Sequence, residues 1–405
     1  MTADPGSPDP RSSGESFGLL RSALVLGLIL GLLTFGMLLA HDPLESWHPT
    51  ARLEIHGDSW DGNLVTDRDR VYLMTREEIE GFWGVLYVRS SGDGGRTWGA
   101  PVQVSATGGP SAARHALTVG PDGSLWAAWS QIGAAPSTQR LILRRSRDDG
   151  RSWETPIRAS DAGVGQVGIP VLVMTPQLSF VAFTDGESGV VLVQALDPDG
   201  TPLRGPNALR ATTRELYDDS PFFDAGLGAA AVGGRGVLVA HDGLHLWRAT
   251  QAGPGMPWVE EEWYAGAGYA PPRLAAVDGR LTSLAALLTG EGNIQITAET
   301  SSDAGRTWGA GATWFDPSAG ETSLAVAAGQ TAVLWEGCDQ MCSSSILRVG
   351  DAEAADGRST RIDGPAGRPA GALFTDDTMV VAWVEEGPNY QANERTVIVA
   401  TGPRP

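Results

Sequence analysis

Apolar residues come in short bursts along this chain. Past Thr50, the runs Val71-Tyr-Leu-Met74, Leu125-Trp-Ala-Ala-Trp129, Phe180-Val-Ala-Phe183, Val237-Leu-Val-Ala240, Leu281 to Leu288, Ala332-Val-Leu-Trp335 and Met379-Val-Val-Ala-Trp383 recur about 50 residues apart. Most are too short for a helix, and they are bounded by turn residues, so they read as buried strands. Pro121-Asp-Gly123, Val277-Asp-Gly279, Gly233-Gly234 and Asp376-Asp377 precede four of them as short connectors of the kind that close hairpins. Around each run the pattern is the same: an apolar strand, a tight turn, the central run, a loop, a third strand and a polar turn.

A unit of this length holding several strands is the signature of a propeller blade. The count favours an all-β propeller of seven blades, with six the alternative if two weak repeats form one elaborated blade. The last repeat ends at Pro405 one strand short, while the strand expected at Arg52-Leu-Glu-Ile55 precedes the first complete repeat. Pairing of that strand with the final blade would close the ring and cover two open sheet edges.

The polar turn carries the clearest motif. Ser91-Gly-Asp93-Gly-Gly95-Arg-Thr97-Trp98 recurs as Ser146-Arg-Asp148-Asp-Gly150-Arg-Ser152-Trp153 and as Ser301-Ser-Asp303-Ala-Gly305-Arg-Thr307-Trp308. Each copy follows an apolar or alternating run, so it reads as a hairpin turn. A short carboxylate accepts bonds from backbone N–H groups just ahead of it, Gly supplies a positive φ, and Trp buries a large surface below. Asp197-Pro-Asp-Gly200 and Asp356-Gly357 stand where further copies could once have been, and the fourth and seventh repeats show none.

This octapeptide resembles the Asp-box, or BNR repeat, of sialidases and other β-propellers. The resemblance implies a box on the outer hairpin of a blade, away from the axis where ligands bind, hence an architectural role. Photosystem assembly-factor propellers share the box and have seven blades, whereas sialidases have six. A catalytic sialidase would also bring an early Arg-Ile-Pro element, an arginine triad, an Asp acid/base and a Tyr–Glu nucleophile pair. No Arg-Ile-Pro occurs here, so no catalytic residue is assigned.

Fifty-three Gly and 26 Pro suit a fold rich in turns. A net charge of −19 argues against nucleic acid as a partner. Met1 to Ser16 reads as a disordered cytoplasmic tail, and the region from Phe17 to Ala40, centred on the uncharged run Ala23 to Ala40, as an uncleaved membrane anchor. His41 to Thr50 follows as a linker, and Ala51 to Pro405 as the propeller. Arg11 and Arg21 on one side, against Arg52 on the other, place the large domain outside the membrane, on the periplasmic or extracellular face.

The chemistry is sparse. Cys338 and Cys342 are the two cysteines, and outside the membrane a short hairpin disulfide is the expected reading. His241-Asp-Gly-Leu-His245 lacks a third ligand, and Asp197 to Gly200 lacks the later ligands of a calcium loop, so both read as turns. No phosphate loop, dinucleotide fingerprint or serine-hydrolase elbow occurs, and no cofactor or metal is implied. Two stretches combine aromatic anchors with carboxylates: Tyr217, Phe222 and Phe223, and Trp258, Trp263 and Tyr264. They are candidate partner contacts, with ordinary core packing the alternative for each residue. The function expected is a membrane-anchored, non-catalytic propeller that binds or scaffolds an integral membrane partner, by analogy of a photosynthetic or respiratory complex. The competing expectation is a sialidase-type exo-glycosidase with diverged motifs and a glycan as ligand.

Overall fold

The computed structural model describes residues 48–402, apart from 57–61, 80–82, 107–111, 133–138, 161–166, 186–187, 212–225, 242–244, 266, 290–292, 316–321, 328–329, 339–344, 352–358, 363–366, 376–377 and 386–393. All described regular structure is β. A strand β1 (His48–His56) comes first, followed by β2 (Gly62–Asp67), β3 (Arg70–Ile79), β4 (Trp83–Ser91) and β5 (Val102–Gln103) as the first sheet. The second sheet is β6 (Ala112–Val119), β7 (Leu125–Ile132), β8 (Gln139–Ser146) and β9 (Ile157–Arg158), and the third is β10 (Val171–Met174), β11 (Ser179–Thr184), β12 (Val190–Leu196) and β13 (Asn207–Ala211). The fourth is β14 (Leu227–Val232), β15 (Arg235–His241), β16 (His245–Gln251) and β17 (Trp258–Ala265). The fifth is β18 (Ala267–Val277), β19 (Arg280–Leu288), β20 (Ile294–Ser301) and β21 (Gly309–Phe315). The sixth is β22 (Thr322–Ala327), β23 (Gln330–Cys338), β24 (Ser345–Asp351) and β25 (Ser359–Ile362), and the seventh comprises β26 (Gly367–Phe374), β27 (Met379–Glu385), β28 (Glu394–Gly402) and β1.

Each sheet is a four-stranded antiparallel meander, and its first strand lies innermost. These inner strands neighbour one another in a closed circuit: β2 lies against β6, β6 against β10, β10 against β14, β14 against β18, β18 against β22, β22 against β26, and β26 against β2. The second strands are the apolar runs picked out by periodicity, and they are buried on both faces: Phe180 to Phe183 and Val237 to Ala240 are at most 1% exposed. A strand covered on both sides has no reason to alternate, so its sequence reads as a continuous apolar run. Core clusters accordingly span neighbouring sheets. One joins Trp126 and Leu143 of the second sheet to Leu172 and Phe183 of the third, and another joins Phe180 to Leu238 and Trp247 of the fourth.

Strand β1 supplies the outer strand that the final sheet lacks. It pairs antiparallel with β28, Arg52 opposite Ile398 and Ile55 opposite Arg395. Ile55 is 1% exposed, in a cluster with Val380, Val397 and Val399. The strand starts at His48, inside the stretch read as linker, because Thr50 Oγ1 donates to Val399 O (3.2 Å) and to Gly95 O (3.2 Å) and so ties that segment to the ring.

Among the described residues no helix is long and apolar enough to cross a membrane. The expected anchor, Ala23 to Ala40, and the tail before it lie outside the described residues.

Candidate functional site

The two ends of the strands differ. Turns between first and second strands, and between third and fourth, share one end of the ring and are largely described. Every connection at the opposite end, between second and third strands or between successive sheets, includes residues outside the described set. Many of the described side-chain hydrogen bonds gather at the octapeptide end and at the seams between sheets.

All three octapeptides close the third-to-fourth-strand turn with a shared core of Ser, Asp, Gly and Ser/Thr bonds, while in the second Arg151 N donates to Asp148 O (3.3 Å) and not to the carboxylate. In the first, Thr97 N (2.8 Å) and Arg96 N (3.1 Å) donate to Asp93 Oδ1, while the Thr97 hydroxyl donates to Oδ2 (2.6 Å). Ser91 Oγ donates to Asp93 Oδ1 (2.8 Å) and accepts from Gly95 N (2.8 Å). Asp148 receives Ser152 N (2.8 Å), and Asp303 receives Thr307 N (2.9 Å) and Arg306 N (3.0 Å). Burial alone would raise the Asp93 carboxyl, but bonds from Thr97, Ser91 and Arg96 pull it down to about 2. Asp148 is lowered by the Ser152 hydroxyl first, and Asp303 by the Thr307 backbone N–H first. A carboxylate with its lone pairs so occupied is neither a proton donor nor an open metal ligand. The degenerate copy keeps part of the scheme, since Asp197 Oδ1 accepts from Asp199 N (2.9 Å) and Thr201 N (2.8 Å).

Each turn also presses on the preceding sheet. A Cβ on Gly95 would stand 3.1 Å from Val380 of the seventh sheet, one on Gly150 3.3 Å from Val88 of the first, and one on Gly305 2.8 Å from Val237 of the fourth. The three tryptophans follow: Trp98 packs on the seventh-sheet core, Trp153 beside Val88 and Met74, and Trp308 beside Val237. The octapeptide thus clasps one sheet to the next, a role that sequence spacing alone does not show.

Arginines on third strands, among them the buried Arg89 and Arg145, complete the seams. Arg89 Nη2 donates to Glu54 O of β1 (3.1 Å) and to Glu77 (2.9 Å), and Nη1 to Thr75 (3.1 Å). Arg144 reaches Val104 O of the first sheet. Arg145 pairs with Asp122 and with Asp199 of the third sheet (3.1 Å).

The richest cluster lies between the fourth and fifth sheets. Tyr264 on β17 donates its hydroxyl proton to Glu299 Oε1 (2.5 Å), Trp263 Nε1 donates to Oε2 (2.9 Å), and Arg248 on β16 pairs with Oε2. The Arg248 guanidinium lies 3.7 Å from the Trp263 ring centroid and 4.0 Å from that of Trp308. A tyrosine beside a glutamate is the pair a sialidase-type nucleophile would need, yet here it sits on third and fourth strands, remote from the inner ones. Burial pushes the Tyr264 hydroxyl up, and Glu299 reinforces the shift. The carboxylate serves as the counter-ion of Arg248, and both side chains are closed in, 5% and 15% exposed. An activated nucleophile needs the opposite: a depressed pKa and an open approach.

Trp263 and Tyr264, expected at a partner interface, are thus engaged within the ring, as is Trp258, which meets Phe180 edge-on at 5.5 Å. Tyr217, Phe222 and Phe223 lie outside the described residues. So does Cys342, and with it the expected bridge to Cys338 at the end of β23. His241 ends β15 and accepts from Gly226 N (3.5 Å), while His245 begins β16. Among the described residues no three His, Cys, Asp or Glu side chains come together in a metal-binding group.

No protein-family model matches the chain, and no curated protein matches it either. Solved structures do. A protein of unknown function from Dyadobacter fermentans aligns at 12% identity and a TM-score of 0.51, over 88% of this chain and 99% of its own. An α-L-arabinanase of Penicillium chrysogenum, complexed with arabinobiose, aligns at 14% identity and 0.51, over 88% and 98%. An α-L-arabinofuranosidase of Fusarium graminearum, with an iminosugar inhibitor, aligns at 12% identity and 0.50, over the same shares. At such identities the likeness establishes one thing, that this chain has a β-propeller fold of the kind found among glycoside hydrolases.

Proposed function

We propose that the chain is a membrane-tethered, seven-bladed Asp-box propeller that acts without catalysis, as a scaffolding or binding subunit for an integral membrane partner on the exoplasmic side. The observation that carries this reading is the fate of the tyrosine–glutamate pair: Tyr264 and Glu299 are spent, with Arg248, on joining two sheets. The octapeptide carboxylates are likewise consumed by their own turns. The apolar run Ala23 to Ala40 supports the tether. Confinement near a bilayer raises the effective concentration of any partner in the same membrane, so a modest propeller surface suffices to hold it. Affinity isolation of the detergent-solubilised full chain tests this. The expected result is an integral membrane protein that co-purifies in fixed ratio and survives a high-salt wash; a chain released from membranes by salt, with nothing bound, contradicts the reading.

One observation favours a second reading, an exo-acting glycoside hydrolase. Two of the aligned structures are named as enzymes acting on arabinose-containing glycosides. A catalytic group would then belong to the end of the ring opposite the octapeptides.

A further inference from the structure

The cluster at the seam of the fourth and fifth sheets has the composition of a ligand site. We propose that Trp263, Trp308, Tyr264 and Glu299 form a cage for a guanidinium cation, plugged by the chain's own Arg248, which takes up a free alkylguanidinium ion once that side chain is cut back. The two indoles lie on either side of the cation, 3.7 and 4.0 Å from its central carbon, and their rings are only 33° apart, with centroids separated by 6.5 Å. A planar delocalised cation fits such a slot, since guanidinium stacks on aromatic faces and is weakly hydrated. One edge of the cage is a carboxylate oriented in advance: Tyr264 and Trp263 each donate to Glu299, so it need not reorganise when the cation arrives. Glu261 on β17 adds negative potential near the same cation.

Two comparisons within the ring single this site out. Arg145, the equivalent seam arginine of the second sheet, faces one aromatic ring, Trp126, at 5.0 Å, and its carboxylate partners Asp122 and Asp199 are themselves half-exposed or more. Arg89 pairs with Glu77 in a buried bridge and is held through polar groups. At Arg248 alone among these does a carboxylate combine with aromatic rings above and below. The inference stands whether or not the ring scaffolds a partner.

The test uses the full chain in detergent. Arg248→Ala should lower Tm by several degrees, and millimolar methylguanidinium should restore much of the loss saturably, with a matching change in tryptophan fluorescence; sodium chloride at equal ionic strength should not. Wild type should show neither effect. A variant without saturable recovery, or a wild type that responds equally, overturns the proposal. Should Arg248→Ala fail to fold, Arg248→Met and the double variant Arg248→Met with Glu299→Gln replace it. The single variant should melt below wild type and the double above the single, because a carboxylate preset for a cation is costly without one. A single variant as stable as wild type, or a double variant less stable than the single, also overturns it.

Discussion

Ala304 stands in the left-handed region with φ 59°, and Asp149 with φ 62°, at the position where the first octapeptide has Gly94 with φ 69°. An alanine there pays about 1–2 kcal/mol that a glycine does not, offset in part by the larger freedom glycine has when unfolded. Ala304→Gly should therefore stabilise the chain by about 0.5–1 kcal/mol, measured by chemical denaturation. Ser146→Ala should act in the other direction. It removes the acceptor for the buried Gly150 N–H (2.9 Å), at a cost of about 1–3 kcal/mol. Acid titrates the same turns. Asp93 is held at about 2 and Asp148 below the ordinary 3.8, so both stay ionised in the fold at pH values where the unfolded chain takes up protons. Their contribution is complete above about pH 4 and is lost as pH falls, for Asp93 toward about 2. Tm should drop through that window, and more shallowly in Asp93→Asn with Asp148→Asn. The Ser, Asp, Gly and Trp positions of these turns are legible in the sequence because each meets a fixed demand of the turn, although the Gly and Trp also pack on the preceding sheet. The strained position after Asp was not, since Gly94, Asp149 and Ala304 share no chemistry that would mark it.

At the scale of elements, closure of the ring rests on β1, the one strand of its sheet that comes from the other end of the chain. Ile55 is its buried anchor, and Arg89 holds its backbone at Glu54. Ile55→Ala should cost about 2–5 kcal/mol by denaturant titration. A chain that begins after His56 should lose its cooperative melt altogether, whereas one that begins at Ser46 keeps it. The second strands were legible because burial on both faces leaves an unbroken apolar run. Closure could be foreseen because one repeat lacked a strand and the chain held a spare. The seams could not, because Arg248 and Glu299 are 51 residues apart and meet only once two sheets are set side by side. The aromatic residues around them, Trp263 and Tyr264, carry no sequence mark of the bonds they make to Glu299.

At the scale of the molecule, seven four-stranded sheets form a closed circuit, fastened at several seams by buried arginines. The fold is similar to those of an α-L-arabinanase and an α-L-arabinofuranosidase at 14% and 12% identity, a likeness of architecture that does not by itself carry function. We propose a tethered scaffold in which the Tyr264–Glu299–Arg248 cluster fastens two sheets together. Turnover by the purified full-length chain of fluorogenic sialosides and arabinosides, measured beside an Arg248→Met control, tests that claim most directly. No turnover above buffer is expected for either protein; hydrolysis that scales with protein concentration and is abolished by a substrate-like iminosugar would contradict the scaffold reading.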